Sequence, residues 1–382
     1  MLTKIIKRFK LTLILLTAGF MVLFMIQQKA YGQLGNAGEI LRTSTADANL
    51  LFENYFKPLG KGFGANLNSG WVNTAKPYKK FGFDLRIDAS LALVPDADEI
   101  FNVANIGLSE NVDIIGNPVT STAVGGVNGP TLRRVETVTD PVTQQEFETE
   151  LFSFELPEGY GTPLVPSPMI QLTVGLVKDT DVTVRFIPTI NVPGVDDLEV
   201  GLVGFGIKHG LNQWLPGGDL LPVDISIQGG FTNFDSEIGF EVLPDVDPND
   251  PTTENPFADD VWQGQRAELK TNAFTGNLLI GKTFPVLSLW GGVGFQSSTV
   301  SVTTPGAFPV TVPNEEFQSN PATNKPFIVS RVDDPIDFDI DGANSVHGMA
   351  GLRIRLAIFA ISASYTVSNY NIANVGVGFS FR

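Results

Sequence analysis

The stretch that decides the fold is residues 80–94, KFGFDLRIDASLALV. Its odd-numbered positions are apolar, whereas its even-numbered positions include Asp84, Arg86, Asp88 and Ser90. A period of two predicts a β-strand with one apolar and one polar face. The same alternation occurs in ten further stretches, which are 61–73, 170–177, 182–186, 198–208, 223–231, 266–282, 287–295, 345–356, 361–367 and 373–381.

The length of these stretches favours a barrel in a membrane. Globular strands usually have about 5–6 residues, whereas tilted membrane strands need about 9–11. The polar faces contain Gly, Ser, Asn and charged residues, which suits a lumen. The last stretch ends at Phe381, which resembles the C-terminal signature of outer-membrane barrels, although Arg382 follows it. We predict an all-β, antiparallel transmembrane β-barrel of about 12 strands, in a range of roughly 10–14. A soluble exported β-protein is the alternative that the alternation leaves open.

Residues 1–32 have the pattern of a signal peptide. Four basic residues, from Lys4 to Lys10, precede the uncharged run 11–26, and Ala30-Tyr31-Gly32 forms a small-x-small cleavage site. We therefore expect Sec export, cleavage near Gly32 and residence in the outer membrane. The run is short for an anchor that crosses about 30 Å of hydrocarbon. The chain contains no cysteine, which excludes disulfides, lipoprotein processing and Cys-based zinc sites.

The acidic residues are concentrated on one side of the predicted barrel. Three connections are long, 95–168, 236–265 and 300–344, and together they hold 27 of the 41 acidic residues. They fall on the same side, and outer-membrane barrels have long outer loops and short periplasmic turns. The net charge of −16 disfavours nucleic acid. We expect outer-membrane lipid, lipopolysaccharide and the barrel-assembly machinery as partners.

The N-terminal segment, residues 33–60, is predicted to contain a helix over 44–57, ahead of a barrel over 61–382. Leu51, Phe52 and Tyr55 recur at helical spacing, and Pro58 is expected to end the helix. Either the helix plugs the lumen or it covers the periplasmic mouth.

The strand count also leaves a question about that segment. Eleven stretches conflict with the even strand numbers of bacterial barrels. Either a strand is missed inside 95–168, where 134–139 and 146–154 form a hairpin-like pattern, or the segment before Gly62 traverses the lumen.

Charged residues on the polar faces are candidate lumen residues. They would line a polar or ion-selective pathway, or they would form a salt-bridge network around a plug, since buried charges persist when they are paired. The candidates are Asp84, Arg86, Asp88, Arg185, Glu268, Lys270, Arg353 and Arg355.

Asp337, Asp339 and Asp341 precede Gly342 in the pattern DxDxDG, which begins a calcium loop. The twelfth position is Gly348 rather than Glu, so an EF-hand is excluded, and an outer extension of the next strand also explains the alternation. A second acidic cluster is interrupted by prolines; it comprises Asp245, Asp247, Asn249 and Asp250.

Catalysis has little support in the sequence. The chain has two histidines, His209 and His347, and only His347 has a serine two residues away on the same predicted face. No orienting carboxylate accompanies that pair. We predict a protein that is not an enzyme and has no cofactor apart from a calcium ion in the acidic loops.

Two segments resemble known outer-membrane families. Residues 54–71, NYFKPLGKGFGANLNSGW, resemble a segment of uncharacterised outer-membrane proteins of Bacteroidota. The plug-like helix, the many phenylalanines and residues 208–222, KHGLNQWLPGGDLLP, are distantly similar to the transporters of long-chain fatty acids and aromatic hydrocarbons. The resemblance implies a channel or transporter for small hydrophobic molecules. The alternative is a structural or surface-interaction barrel without transport, which binds divalent cations through its acidic loops.

Overall fold

We describe a computed structural model of the chain, which covers residues 40–41, 43–192, 197–244, 246 and 251–381. The predicted signal peptide and the acidic cluster around residues 245–250 lie outside these residues, apart from Val246.

Ten antiparallel strands form a closed barrel. Each strand pairs with the next along the chain, and the last pairs with the first, where Phe83 faces Phe381 and Leu93 faces Asn371. The strands are β1 (Phe83–Leu93), β2 (Leu164–Gly175), β3 (Thr180–Asn191), β4 (Leu198–Gly210), β5 (Asp224–Gly239), β6 (Arg266–Thr283), β7 (Leu287–Thr303), β8 (Ser345–Leu356), β9 (Phe359–Val367) and β10 (Asn371–Phe381). An eleventh strand, Asp337–Asp341, continues the line of β8 and pairs with the outer end of β7.

The strand count is at the low end of the predicted range, because the hairpin inside 95–168 does not join the wall and neither does the stretch 61–73. It is not a strand: residues 61–68 belong to a helix, α1 (Thr45–Asn68), and the following residues run through the lumen. The alternation there comes from small residues such as Gly62 and Gly64, which pack closely against Val165 and Ser298 of the wall. Removing this stretch leaves an even number of strands.

The outer surface of the barrel is apolar over most of its height. On β1, β9 and β10, aliphatic and aromatic side chains of alternate residues point outward and are exposed, as Leu85, Ile361 and Val377 show. Such a band is typical of a barrel that faces hydrocarbon. Among the described residues, no helix has the length and apolar character needed to cross a bilayer.

The three long connections fold into a cap over one end of the barrel. The hairpin predicted near 134–139 and 146–154 exists as Thr131–Thr139 and Glu146–Glu155, but it belongs to the cap and not to the wall. The cap strands are Ile100–Asn102, Asp113–Ile115, Val119–Ser121, Thr131–Thr139, Glu146–Glu155, Thr253–Glu254, Ala307–Pro313 and Phe327–Asp333, together with the short helix α2 (Glu315–Ser319). Its core includes Leu132, Phe152, Phe154 and Phe308.

Helix α1 begins inside this cap. Ser44 caps it by accepting a hydrogen bond from the backbone N–H of Asp47 at 3.1 Å. The helix does not end at Pro58 but continues to Asn68. An interior proline costs one backbone hydrogen bond, and packing on both sides of Pro58, which is itself buried, compensates for that loss. The prediction of a helix at the periplasmic mouth is therefore wrong, because α1 lies at the opposite end.

Candidate functional site

The lumen is filled by residues 66–78, which we call the lumen segment. Its polypeptide backbone is bound by side chains of successive wall strands. Arg185 donates to the carbonyl oxygens of Leu67 at 2.7 Å and Ser69 at 2.5 Å. Arg86 and Gln171 both donate to the carbonyl oxygen of Gly70, at 2.7 and 2.9 Å.

The contacts continue towards the end of the barrel opposite the cap, where short turns join the strands and which we call the turn end. Lys208 donates to the carbonyl oxygen of Thr74 at 3.0 Å, and Ser226 donates to that of Ala75 at 2.8 Å. The backbone N–H of Tyr78 donates to Asp181 at 2.8 Å. Wall side chains therefore satisfy backbone groups of the segment that neither a helix nor a sheet satisfies.

Trp71 anchors the segment through its indole ring. The guanidinium carbon of Arg185 lies 3.6 Å from the ring centroid, within the range of cation–π attraction. The other side of the ring needs glycine, since a Cβ at Gly206 or Gly230 would lie 2.7 or 2.5 Å from ring atoms. Glycines on β4 and β5 thus make the space that the tryptophan fills.

Four of the predicted lumen charges form two salt bridges. Arg86 bonds Asp88 at 2.7 Å, and Arg353 bonds Asp84 at 2.7 Å. Tyr78 also donates to Asp84, at 2.9 Å. All these side chains are buried, and buried ions are stable only when paired and hydrogen-bonded. This geometry favours the salt-bridge network over the ion pathway.

Arg355 shares the inward register of Arg353 and is half-buried beside the turn at Val286. Glu268 and Lys270 were expected to face inward, and this is wrong. They share the outward register of Phe274 on β6, and they pair with each other at 3.0 Å on the outer surface. At this height, beyond the apolar band, Leu269 is the side chain that points into the barrel. Glu268 and Lys270 therefore point outward into water.

Two small cavities lie beside the lumen segment, with volumes of about 20 and about 10 Å³. The first is lined in part by Trp71, Trp290 and His347, and the second by Trp71, Tyr78 and Lys208. A cavity needs roughly 10–15 Å³ to hold one water molecule. Neither space is wide enough for a substrate.

The wall contains a seam between β2 and β3. The ladder between these strands covers only Gln171–Gly175 and Asp181–Arg185, in the half near the turns. If this register continued, Pro168 would face Pro188. Prolines have no N–H to donate, and they are normally confined to strand edges. Pro166 lies beside them on β2, and the described pairing of the two strands does not continue into the half near the cap.

The side chains directly behind the seam are apolar. Phe63 of α1 packs against two apolar clusters, of which one contains Val165 of β2 and the other Ile187 of β3. Phe63 also contacts Phe234 edge-on, with ring centroids 4.7 Å apart. The half of the lumen near the cap is therefore partly apolar, although polar side chains such as Ser167 are buried there too, whereas the half near the turns holds the charged network.

The predicted metal residues do not converge. Asp337, Asp339 and Asp341 lie at alternate, exposed positions of one strand, and Asp339 accepts a hydrogen bond from Ser301 at 2.6 Å. Within the described residues, no group of three acidic or histidine side chains is placed to hold a metal ion. Calcium binding at this strand stays a sequence prediction without geometric support.

Several functional residues escaped the sequence argument, namely Asp181, Lys208, Gln171 and Trp71. The alternation places the first three on inward faces, but nothing in the sequence shows that a segment lies opposite them. The seam did leave a signal, because prolines at 166, 168 and 188 flank the predicted strands 170–177 and 182–186.

Three of the solved structures similar to this chain are the following. Ail, the attachment invasion locus protein of Yersinia pestis, is 10% identical over 79% of this chain and 99% of its own, with a TM-score of 0.23. The translocator domain of autotransporter NalP from Neisseria meningitidis is 8% identical over 85% and 93%, with a TM-score of 0.27. The transport unit of autotransporter AIDA-I from Escherichia coli is 9% identical over 85% and 99%, with a TM-score of 0.26.

These scores are low, and the fold described above rests on the strand pairing of this chain alone. No curated protein matches the sequence. The resemblance to Bacteroidota proteins and to fatty-acid transporters stays a prediction. A family profile matches residues 6–381, and the chain therefore belongs to the family of unknown function DUF6588.

Proposed function

We propose that this protein is an outer-membrane β-barrel that passes small hydrophobic molecules between its interior and the surrounding lipid. The observation that carries the proposal is the seam between β2 and β3, where the ladder stops, with the apolar side chains around Phe63 packed behind it. The outer flanks of the seam are apolar as well, since Ile170 and Phe186 are exposed on the lipid side. The proposal needs neither catalysis nor a cofactor.

The route is lateral because the lumen does not suit an apolar substrate. Its half near the turns is occupied by the lumen segment and lined by buried charges such as Arg86 and Asp88. Moving a hydrocarbon through paired charges would require separating them, which costs several kcal/mol per ion by order of magnitude. A path through the seam leaves the network intact and needs only a shift of Phe63.

The test locks the seam with a disulfide. Continuing the register of β2 and β3 places Ile170 opposite Phe186, and the chain has no cysteine of its own. Ile170→Cys with Phe186→Cys is the seam pair. Leu172→Cys with Val184→Cys is the matched control, because these residues already face each other in the ladder.

Cells that express each variant are given the hydrophobic dye N-phenylnaphthylamine. We expect the oxidised seam pair to lose protein-dependent dye uptake and to regain it on reduction, while the control pair keeps it in both states. Equal uptake by the two oxidised variants would contradict a lateral route. Heat-dependent mobility in detergent shows whether each variant has folded as a barrel.

A second candidate is a surface-interaction barrel without transport, and the folded acidic cap favours it. The cap has its own apolar core around Phe152 and Phe308, which loops serving only as connections do not need. Acidic side chains would bridge to lipopolysaccharide phosphates through divalent cations. Under this candidate, wild-type protein shows no dye uptake, and calcium-dependent retention of lipopolysaccharide is lost when Glu146, Glu148 and Glu150 are changed to Gln.

A further inference from the structure

The order of contacts along the lumen segment shows that it passes through the barrel once, in one direction. Helix α1 starts in the cap, where the side chain of Asn49 bonds the backbone of Pro335 and Asp337. Its last residues lie inside the barrel, where the side chain of Asn66 donates to the carbonyl oxygen of Val165 at 2.6 Å.

The remaining contacts follow the chain towards the turn end. Gly70 meets β1 and β2, and Thr74 meets Lys208 of β4 near the end of that strand. Tyr78 meets Asp181, which follows the short turn between β2 and β3. The chain then reverses at Phe81, which has a positive φ of 62°, and enters β1 at Phe83.

We infer that the chain enters the barrel from the cap side, so that Ile40, where the described chain begins, lies on the same face of the membrane as the long loops. Ten strands and one lumen segment make eleven crossings, and an odd number places the two ends of the described chain on opposite faces. The described chain begins at Ile40 in the cap core and ends at Phe381, beside the turns.

This arrangement has a consequence for assembly. The lumen segment is enclosed by a ring whose first and last strands, β1 and β10, pair directly. The N-terminal segment therefore reaches the outer face before the ring closes, or it is drawn through as the strands pair.

The experiment uses single cysteines in the full chain, which has none of its own. Ala46→Cys reports on the exposed first turn of α1, and Lys80→Cys reports on the exposed residues just before β1. Val142→Cys, at the tip of the cap hairpin, marks the loop face. Intact cells are treated with a membrane-impermeant maleimide, before and after the outer membrane is permeabilised.

We expect Ala46→Cys and Val142→Cys to be labelled alike on intact cells, and Lys80→Cys to be labelled only after permeabilisation. If Ala46→Cys behaves like Lys80→Cys and unlike Val142→Cys, the inference is wrong. Labelling of all three on intact cells also overturns it, because both ends of the segment would then lie on one face. The result does not depend on dye uptake, so this inference and the proposed function fail separately.

Discussion

Arg185 is fully buried in the lumen, where its guanidinium group makes three hydrogen bonds and stacks on Trp71. It is the side chain that joins the end of α1 to the wall. Its bonds to carbonyl oxygens replace the backbone hydrogen bonds that the helix loses at its C-terminal end.

Replacing Arg185 by Met should loosen the lumen segment. Two carbonyl acceptors would lose their donor in a buried site, at a cost of about 1–3 kcal/mol each. We expect Arg185→Met to lower the free energy of unfolding by an amount of this size for each acceptor. We also expect it to raise ion conductance in planar bilayers well above that of the wild type. Lys270→Met, on the outer surface, is the control and should leave both unchanged. Wild-type conductance in Arg185→Met would show that the segment is held without this residue.

Trp214 is the exposed member of the four tryptophans, with 63% of its surface accessible, whereas Trp71, Trp262 and Trp290 are buried. Its indole N–H donates to His209 at 2.8 Å, at the turn end of the apolar band. Tryptophans are enriched at this level of membrane proteins because the ring is amphipathic.

In liposomes, lipids brominated near the headgroup should therefore quench part of the tryptophan fluorescence. Trp214→Phe should remove that quenchable part. Equal quenching of the variant and the wild type would place Trp214 outside the lipid.

At the scale of elements, alternation located the ten wall strands because each strand faces lipid on one side and polar groups on the other. Alternation gave a wrong result where a segment does not have an apolar side towards lipid and a polar side towards the lumen. On the outer part of β6 the contrast is reversed, because Glu268 and Lys270 continue the outward register of Phe274 beyond the apolar band, and the sequence argument therefore turned both charges inward. In α1, Gly62 and Gly64 are two residues apart and so resemble a strand pattern, although both are helical residues in close contact with the wall.

The candidate site was less predictable than the wall. Alternation indicates that Arg86 and Arg185 face inward, but both donate to backbone carbonyl oxygens more than ten residues away in sequence. Only the fold brings these groups together. The sequence also left open whether the segment before Gly62 traverses the lumen; in the structure it is the residues after Gly62, 66–78, that do so, and no local pattern indicates this.

Helix α1 is joined to the cap through Tyr55, whose hydroxyl donates to the carbonyl oxygen of Glu158 at 3.0 Å. Burial raises the pKa of Tyr55 from 10.0 to about 12. A raised pKa in the folded state stabilises the fold below the unfolded value, and this stability is lost as the pH rises through the folded value.

We therefore expect the contact between α1 and the cap to weaken as the pH rises from about 10 to about 12. Limited proteolysis of the cap, measured across this range, should show faster cleavage in the wild type. In Tyr55→Phe the pH dependence should be smaller, because phenylalanine does not ionise. An unchanged pH profile in the variant would assign the effect to other groups.

At the scale of the whole molecule, the structure consists of three zones along one axis. The turn half of the lumen holds the charged network, the cap half is partly apolar and lies behind the seam, and the acidic cap covers the outer end. Helix α1 and the lumen segment together connect all three, since α1 starts in the cap and the segment leads to β1. A closed lumen is thus a property of the entire chain rather than of the ten strands.

The most direct test of the threaded lumen is disulfide formation between the segment and the wall. The hydroxyl oxygens of Ser69 and Ser90 lie 3.2 Å apart, and Ala89 next to Ser90 points to the lipid. Mass spectrometry of peptides from non-reduced protein would detect the bond in Ser69→Cys with Ser90→Cys, and Ser69→Cys with Ala89→Cys is the matched control. The structure predicts a bond in the first variant and none in the second; free thiols in both would contradict a segment inside the barrel.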